Sequence, residues 1–137
     1  MLALTFVVSS CGGGAQRNSS GVVVKVGDCS NSNLSQTVDK LDLVPCDEPH
    51  SLEAYSIVTS TATTYPGADA LKVFAEQSCI DEFFGYVGVE LPQPILYYTY
   101  VYPSVTSWNS KSDRSVICFI YKATEPLLTK SVKGSKL

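Results

Sequence analysis

A single histidine, His50, stands in a chain of 137 residues, and that scarcity removes most familiar catalytic arrangements at once. Any Ser-His-Asp or Cys-His nucleophile would have to run through this one imidazole, and nothing like a nucleophile elbow appears. A second histidine for a metal site is missing. No Cys-x-x-Cys spacing is present either, so neither a thioredoxin-type redox pair nor a zinc ribbon is supported. Charged residues make up 17% and the net charge is −3, the wrong sign for a nucleic-acid surface. No sequence repeat and no long low-complexity segment is found, which leaves an ordinary packed domain.

What is present suits such a domain. Apolar residues reach 45%, enough for a folded core rather than a disordered chain. A domain of roughly 115 residues buries about two-thirds of its unfolded surface and does not strictly need cross-links. Charge is unevenly placed: Cys46 to Glu90 is acidic apart from Lys72, and Lys111 to Leu137 is basic apart from Asp113 and Glu125. Segments of opposite sign that pack together cancel, and we read the asymmetry that way rather than as a steering field.

The N-terminus reads as an address. "LALTFVVSSCGGG" is an apolar run, two small residues, Cys11 and glycines. The run is far too short to span a bilayer but suits the core of a signal peptide. Val8-Ser9-Ser10-Cys11 is similar to a bacterial lipobox, in which the cysteine is acylated before cleavage, and two or more acyl chains anchor stably. No basic residue precedes the run, so the expected start of the signal lies upstream. The expected division is a signal peptide over 1–10, a lipidated Cys11 and flexible tether over 11–21, and a folded domain over 22–137.

With Cys11 assigned to lipid, four cysteines remain: Cys29, Cys46, Cys79 and Cys118. An even number outside the cytoplasm reads as two disulfides with three possible connectivities. The nearest-neighbour pairing, Cys29–Cys46 and Cys79–Cys118, is the one chosen. In the chain-entropy picture these loops contribute about 3 and about 4 kcal/mol. This bears on "VPCDEPHSLEAY" (Val44 to Tyr55), where Cys46 sits beside Asp47, Glu48, His50 and Glu53. A cysteine locked in a disulfide is neither nucleophile nor thiolate ligand. The expectation is therefore no metal and no cofactor. Pro49 holds Glu48 extended, so the stretch reads as a turn entering a strand with His50 as a hydrogen-bonding turn residue.

Along the domain, "GVVVKVGDC" (Gly21 to Cys29) reads as a short strand ending at Gly27-Asp28, and Thr37 to Val44 reads as another, with Leu41 and Leu43 on one face. "EAYSIVTSTA" is a β-branched strand. After "YPGAD", Asp69 is the expected N-cap of a helix running to about Phe84 and ending near Gly85. Leu71, Phe74, Ala75, Ser78 and Cys79 form its core stripe, and Val73, Ile80 and Phe84 form a second stripe that needs cover or a partner. "ILYYTYVY" (Ile95 to Tyr102) and "SVICFIYKA" (Ser115 to Ala123) are strands, the first expected to be central, joined by a loop around Trp108. The fold class is α+β: a mainly antiparallel sheet of four to six strands with one principal helix across a face.

In this order the chain resembles the septum-formation domain of actinobacterial cell-envelope proteins. The carrying residues are "VGDC" (Val26 to Cys29), "VPCDEPHSLEAY", "YPG" (Tyr65 to Gly67), Cys79 and "YVG" (Tyr86 to Gly88). They continue with Pro103, "SW" (Ser107-Trp108), "DR" (Asp113-Arg114), Cys118 and the closing "LTKSVKGS". The family pattern has glycine where Ser112 stands, which bears on the conformation of that turn. The resemblance implies a membrane-associated or lipid-anchored protein outside the cytoplasm, with a link to septum formation and cell division, and it supplies no catalytic residues.

A non-catalytic binding or structural domain is therefore the expected function, with a protein or cell-wall partner. Candidate binding residues are His50, Glu53, an aromatic strand face of Tyr98, Tyr100 and Tyr102, and Trp108 with Arg114. The bland readings are core packing for the tyrosines and a fixed loop for Trp108 and Arg114. The alternatives are a peptidoglycan-acting enzyme using paired carboxylates among Asp47, Glu48, Glu53, Asp81 and Glu82, and a small-ligand carrier.

Overall fold

The computed structural model describes residues 16–17, 23–34 and 41–137. Cys11, the signal-peptide segment, most of the expected tether and Thr37 to Lys40 lie outside the described residues. Nine elements follow in order: β1 (Gln16–Arg17), β2 (Val23–Val24), β3 (Cys29–Ser30), β4 (Leu43–Val44), β5 (Leu52–Thr59), α1 (Ala68–Val87), β6 (Leu96–Val101), α2 (Val105–Lys111) and β7 (Ser115–Lys122). β1 pairs with β2, so the expected tether contributes two residues to a small antiparallel ladder. The main sheet has five strands in the order β4-β3-β5-β7-β6, every pair antiparallel. One principal helix, α1, lies across β5, β6 and β7, which is the expected α+β architecture.

The core forms on both faces of β7, and this follows from its alternation. Val116, Cys118 and Ile120 face α1, where they meet Ala75, Cys79, Phe83 and Val87. Ile117 and Phe119 face the other way and meet Val24, Leu41, Leu52 and Ala54. A strand apolar on both faces belongs at the sheet centre, and β7 sits between β5 and β6. β6, expected to be central, is instead an edge. Its half-buried tyrosines mark that edge position. Tyr55 is the extra residue of a bulge between Ala54 and Ser56 in β5. Its hydroxyl donates to the Cys79 carbonyl of α1 at 2.6 Å, fastening helix to sheet.

Several sequence expectations are corrected. The strand expected to end at Gly27-Asp28 is shorter: β2 stops at Val24, a turn at Val26-Gly27 follows, with Gly27 at φ 95°, and β3 begins at Cys29. Leu41 is buried and Leu43 is 46% exposed, so they do not share a buried face, and β4 is a short edge strand. The α1 N-cap is Gly67, which has no side chain to offer, and Asp69 lies in the first turn, where its carboxylate faces the positive end of the helix dipole. The helix passes through Gly85 and stops at Gly88, whose φ of 91° is left-handed. An internal glycine costs roughly 1 kcal/mol against alanine. Docking of Phe83, Tyr86 and Val87 into the core outweighs that cost. The Trp108 segment is a short helix, α2, with Ser104 and Ser107 forming a reciprocal capping box.

Both disulfides join the chosen partners. Cys29–Cys46 ties β3 to the turn after β4 with Cα atoms 5.3 Å apart, and Cys79–Cys118 ties α1 to β7 at 5.6 Å.

Candidate functional site

The turn of "CDEPH" is built by exchange of backbone and side-chain bonds with its neighbours. Glu48 N–H donates to the Pro45 carbonyl at 3.0 Å, and Asn31 clamps the next residues. Its Nδ2 donates to the Pro49 carbonyl and its Oδ1 accepts from Ser51 N–H. His50 then enters the interior, 0% exposed. A ring nitrogen, Nδ1, lies 2.8 Å from the Glu48 carbonyl, a pairing that puts the donated proton on Nδ1. Nε2 is buried with no hydrogen-bond partner among the described residues and lies 3.8 Å from Glu53 Oε2. His50 N–H donates to the Leu128 carbonyl at 2.8 Å, making an isolated antiparallel bridge to the C-terminal segment.

Glu53 lies on β5 directly opposite Cys29 of β3 and is also 0% exposed. A buried carboxylate is tolerable only when its oxygens are well supplied with donors. Tyr86 Oη donates to Oε1 at 2.6 Å, Ser131 Oγ donates to Oε1 at 2.6 Å, and Val132 N–H donates to Oε2 at 2.9 Å. Two of these three donors come from the C-terminal segment. The same segment closes the end of α1: Gly134 N–H donates to the Tyr86 carbonyl at 2.7 Å and Lys136 N–H to the Val87 carbonyl at 2.9 Å. These are carbonyls that a helix end leaves without intrahelical partners. Leu128 and Val132 fill the core beside them. Residues 128–136 are thus clasped at three places: the His50 bridge, the Glu53 carboxylate and the α1 C-terminus.

Tyr86 is pushed well above the ordinary tyrosine range, chiefly by burial and then by its hydrogen bond to the Glu53 carboxylate. Its proton therefore stays on the phenol and in the bond to Glu53. The arrangement is a polar network in which His50, Glu53 and Tyr86 are buried and Ser131 lies at its exposed rim. Asp47 and Glu48 are exposed on the turn, and Asp81 and Glu82 are exposed on α1.

Among the described residues one metal-like constellation emerges. The ligand atoms of Cys29, His50 and Glu53 lie within 4.8 Å of one another. Cys29 is bonded to Cys46, however, and a disulfide sulfur is not a thiolate ligand. In this oxidised form the set reduces to one imidazole and one carboxylate.

The remaining candidates separate. Tyr98, Tyr100 and Tyr102 are half-buried and pack against the α1 side of the core. Burial, then nearby Glu76, pushes the Tyr98 and Tyr100 hydroxyls up. Trp108 is buried: Arg114 lies 3.8 Å over its ring, and Tyr65 meets it edge-on at 5.8 Å. The same guanidinium donates through Nη1 to the carbonyls of Trp108 and Asp113. Trp108 and Arg114 therefore fix the entry to β7. Ser112 takes the left-handed conformation, φ 56°, that ends α2, which explains why glycine suits that place.

Two exposed features remain, the second of them the helix stripe expected from the sequence. On the sheet face away from α1, the rings of Tyr97 and Tyr121 meet at 5.8 Å, tilted by 32°. Beside them, Thr99, Tyr121 and Lys122 join Ser51, Asn33 and Leu34 around an open cleft of about 260 Å³. On α1, Val73, Ile80 and Phe84 are 67%, 43% and 56% exposed. Among the described residues no helix is long and apolar enough to cross a membrane.

The sequence model of the family described as "Septum formation" matches residues 7–118 of the chain. No curated protein and no solved structure matches it.

Proposed function

Because the chain belongs to the septum-formation family, we propose that it is a non-catalytic binding domain held at the outer face of the cell membrane by lipid on Cys11. The observation that carries the non-catalytic part is the complete burial of His50 and Glu53, both engaged in holding residues 128–136. Burial of these two side chains supports a structural role for them. Two disulfides in so small a domain suit an oxidising compartment. The apolar run ending in Val8-Ser9-Ser10-Cys11 supports acylation.

The partner surface on this reading is protein-binding. The exposed Val73, Ile80 and Phe84 stripe is a row of large apolar side chains with nothing in the described fold to pack against. Cross-linking from intact cells tests the assignment, with a photoreactive residue placed at Phe84 and, in parallel, at Tyr121. Capture of one defined envelope protein from Phe84 supports the reading, and capture of glycan from Tyr121 shifts the ligand to wall material. Labelled palmitate that fails to mark Cys11 removes the anchor. Separate His50→Ala and Glu53→Gln variants address catalysis: lost function with unchanged melting temperature would establish chemistry.

A further inference from the structure

We propose that the Cys29–Cys46 disulfide conceals a zinc-type metal site that is assembled when the bridge is reduced. The parts are already placed. Cys29 and Glu53 are directly opposed across β3 and β5, and their ligand atoms lie with that of His50 within 4.8 Å. Tetrahedral zinc bond lengths put ligand atoms about 3.3–3.8 Å apart, so a contraction of about 1 Å suffices. His50 Nε2 is 0% exposed and unpartnered among the described residues, and it points to within 3.8 Å of Glu53 Oε2. An orphaned buried ring nitrogen is unfavourable as a purely structural feature. It is the expected state of a histidine ligand whose metal has not yet arrived.

The surrounding support has the form metal sites use. A metal-binding imidazole usually donates its other N–H to a carbonyl or carboxylate, and His50 Nδ1 pairs with the Glu48 carbonyl at 2.8 Å. Ligand carboxylates are themselves hydrogen-bonded. Glu53 has Tyr86 and Ser131 on Oε1 and Val132 on Oε2, which leaves a lone pair on Oε2 facing His50.

The opening step is directional. Cys29 is 1% exposed and Cys46 is partly exposed, so an external dithiol attacks Cys46 Sγ. A mixed disulfide forms there and the S–S bond breaks, releasing Cys29 as a thiolate beside His50. The second thiol of the reductant then closes its own disulfide and frees Cys46 as a thiol. Two electrons pass from the dithiol to the bridge. The metal takes Cys29, His50 and Glu53, and Cys46 is the nearest further sulfur. Cys79–Cys118, 0% exposed at both residues, survives mild reduction.

Cobalt(II) and zinc titration of the full chain tests this, with Cys11→Ser in every sample to remove the unpaired thiol. Alkylation and mass measurement verify that a single bridge has opened. The mildly reduced chain is expected to bind one cobalt with a thiolate-to-metal absorption band and to keep its near-ultraviolet circular dichroism. The oxidised chain shows no such band. Cys29→Ser loses the band, and Ser131→Ala, which leaves every ligand in place, weakens binding about 10-fold. A reduced chain that takes no cobalt overturns the proposal, whether it stays folded or unfolds without rescue by metal. So does binding unchanged in Cys29→Ser, or of equal strength before and after reduction.

Discussion

Replacing Glu53 with alanine probes the clasp on residues 128–136 directly. The carboxylate accepts from Tyr86, Ser131 and Val132. Hydrogen bonds to a charged group contribute about 1.5–3 kcal/mol each. Their simple sum overstates the loss, because a detached tail rehydrates Ser131 and Val132. The loss is therefore capped by what the tail gains from docking. Leu128 and Val132 are 5% and 2% exposed, and burying such side chains contributes roughly 1.5–3 kcal/mol each. We expect Glu53→Ala to lower unfolding free energy by about 3–4 kcal/mol, a large share of the roughly 5–15 kcal/mol of a typical domain. Glu53→Gln keeps a carbonyl for Val132 N–H and should lose about 1–2 kcal/mol. Urea unfolding followed by tyrosine fluorescence and far-ultraviolet circular dichroism reads both. An alanine variant within about 0.5 kcal/mol of the parent would refute the reasoning, since that is the range of an inconsequential surface change.

Three further outcomes follow from other parts of the molecule. Ser112→Gly relieves the left-handed strain at φ 56° and should raise stability by about 0.5–1 kcal/mol, read as a higher urea midpoint. Tyr55 and Tyr86 both hold their protons above the ordinary value of 10.0, each chiefly through burial. A raised folded-state value means that their contribution is intact below pH about 10 and falls as pH climbs toward the folded values, by about 1.4 kcal/mol per pH unit for each tyrosine. Tyrosinate absorbance should therefore show a late step coincident with alkaline unfolding; early, non-cooperative ionisation of every tyrosine contradicts it. Phe84→Ser, at a 56% exposed site, should leave melting within the error of a surface change while abolishing the cross-link formed from Ile80, a site on the same stripe.

The elements most legible in sequence were those whose burial repeats with their own geometry. β7 alternates two apolar faces, and both are buried. α1 buries Leu71, Ala75 and Cys79 at four-residue spacing, although its ends were displaced because Gly67 and Gly88, not Asp69 and Gly85, carry the cap conformations. β4 and β2 were overextended in the sequence reading. Short edge strands are set by their neighbours, and β2 stops at Val24, before Lys25 and the turn at Val26-Gly27. For the candidate site, the sequence marked His50 and Glu53 and marked "LTKSVKGS", yet it did not join them. Glu53 and Val132 meet across 79 positions of chain, and the partner segment is irregular backbone with no period to read. One signal was available. An acid flanked by Leu52, Ala54 and Tyr55 in a β-type run must be either exposed or matched by donors from elsewhere, and here it is matched.

Native-state amide hydrogen exchange at Val132, Gly134 and Lys136 reads the clasp in the unmodified protein. Each N–H ends on Glu53, Tyr86 or Val87. If the His50–Glu53 cluster is scaffolding that holds the C-terminal segment, these amides are protected to within a few-fold of those in β5. Exchange at the rate of an open chain while β5 stays protected would contradict the account, and would return the buried imidazole and carboxylate to consideration as functional groups.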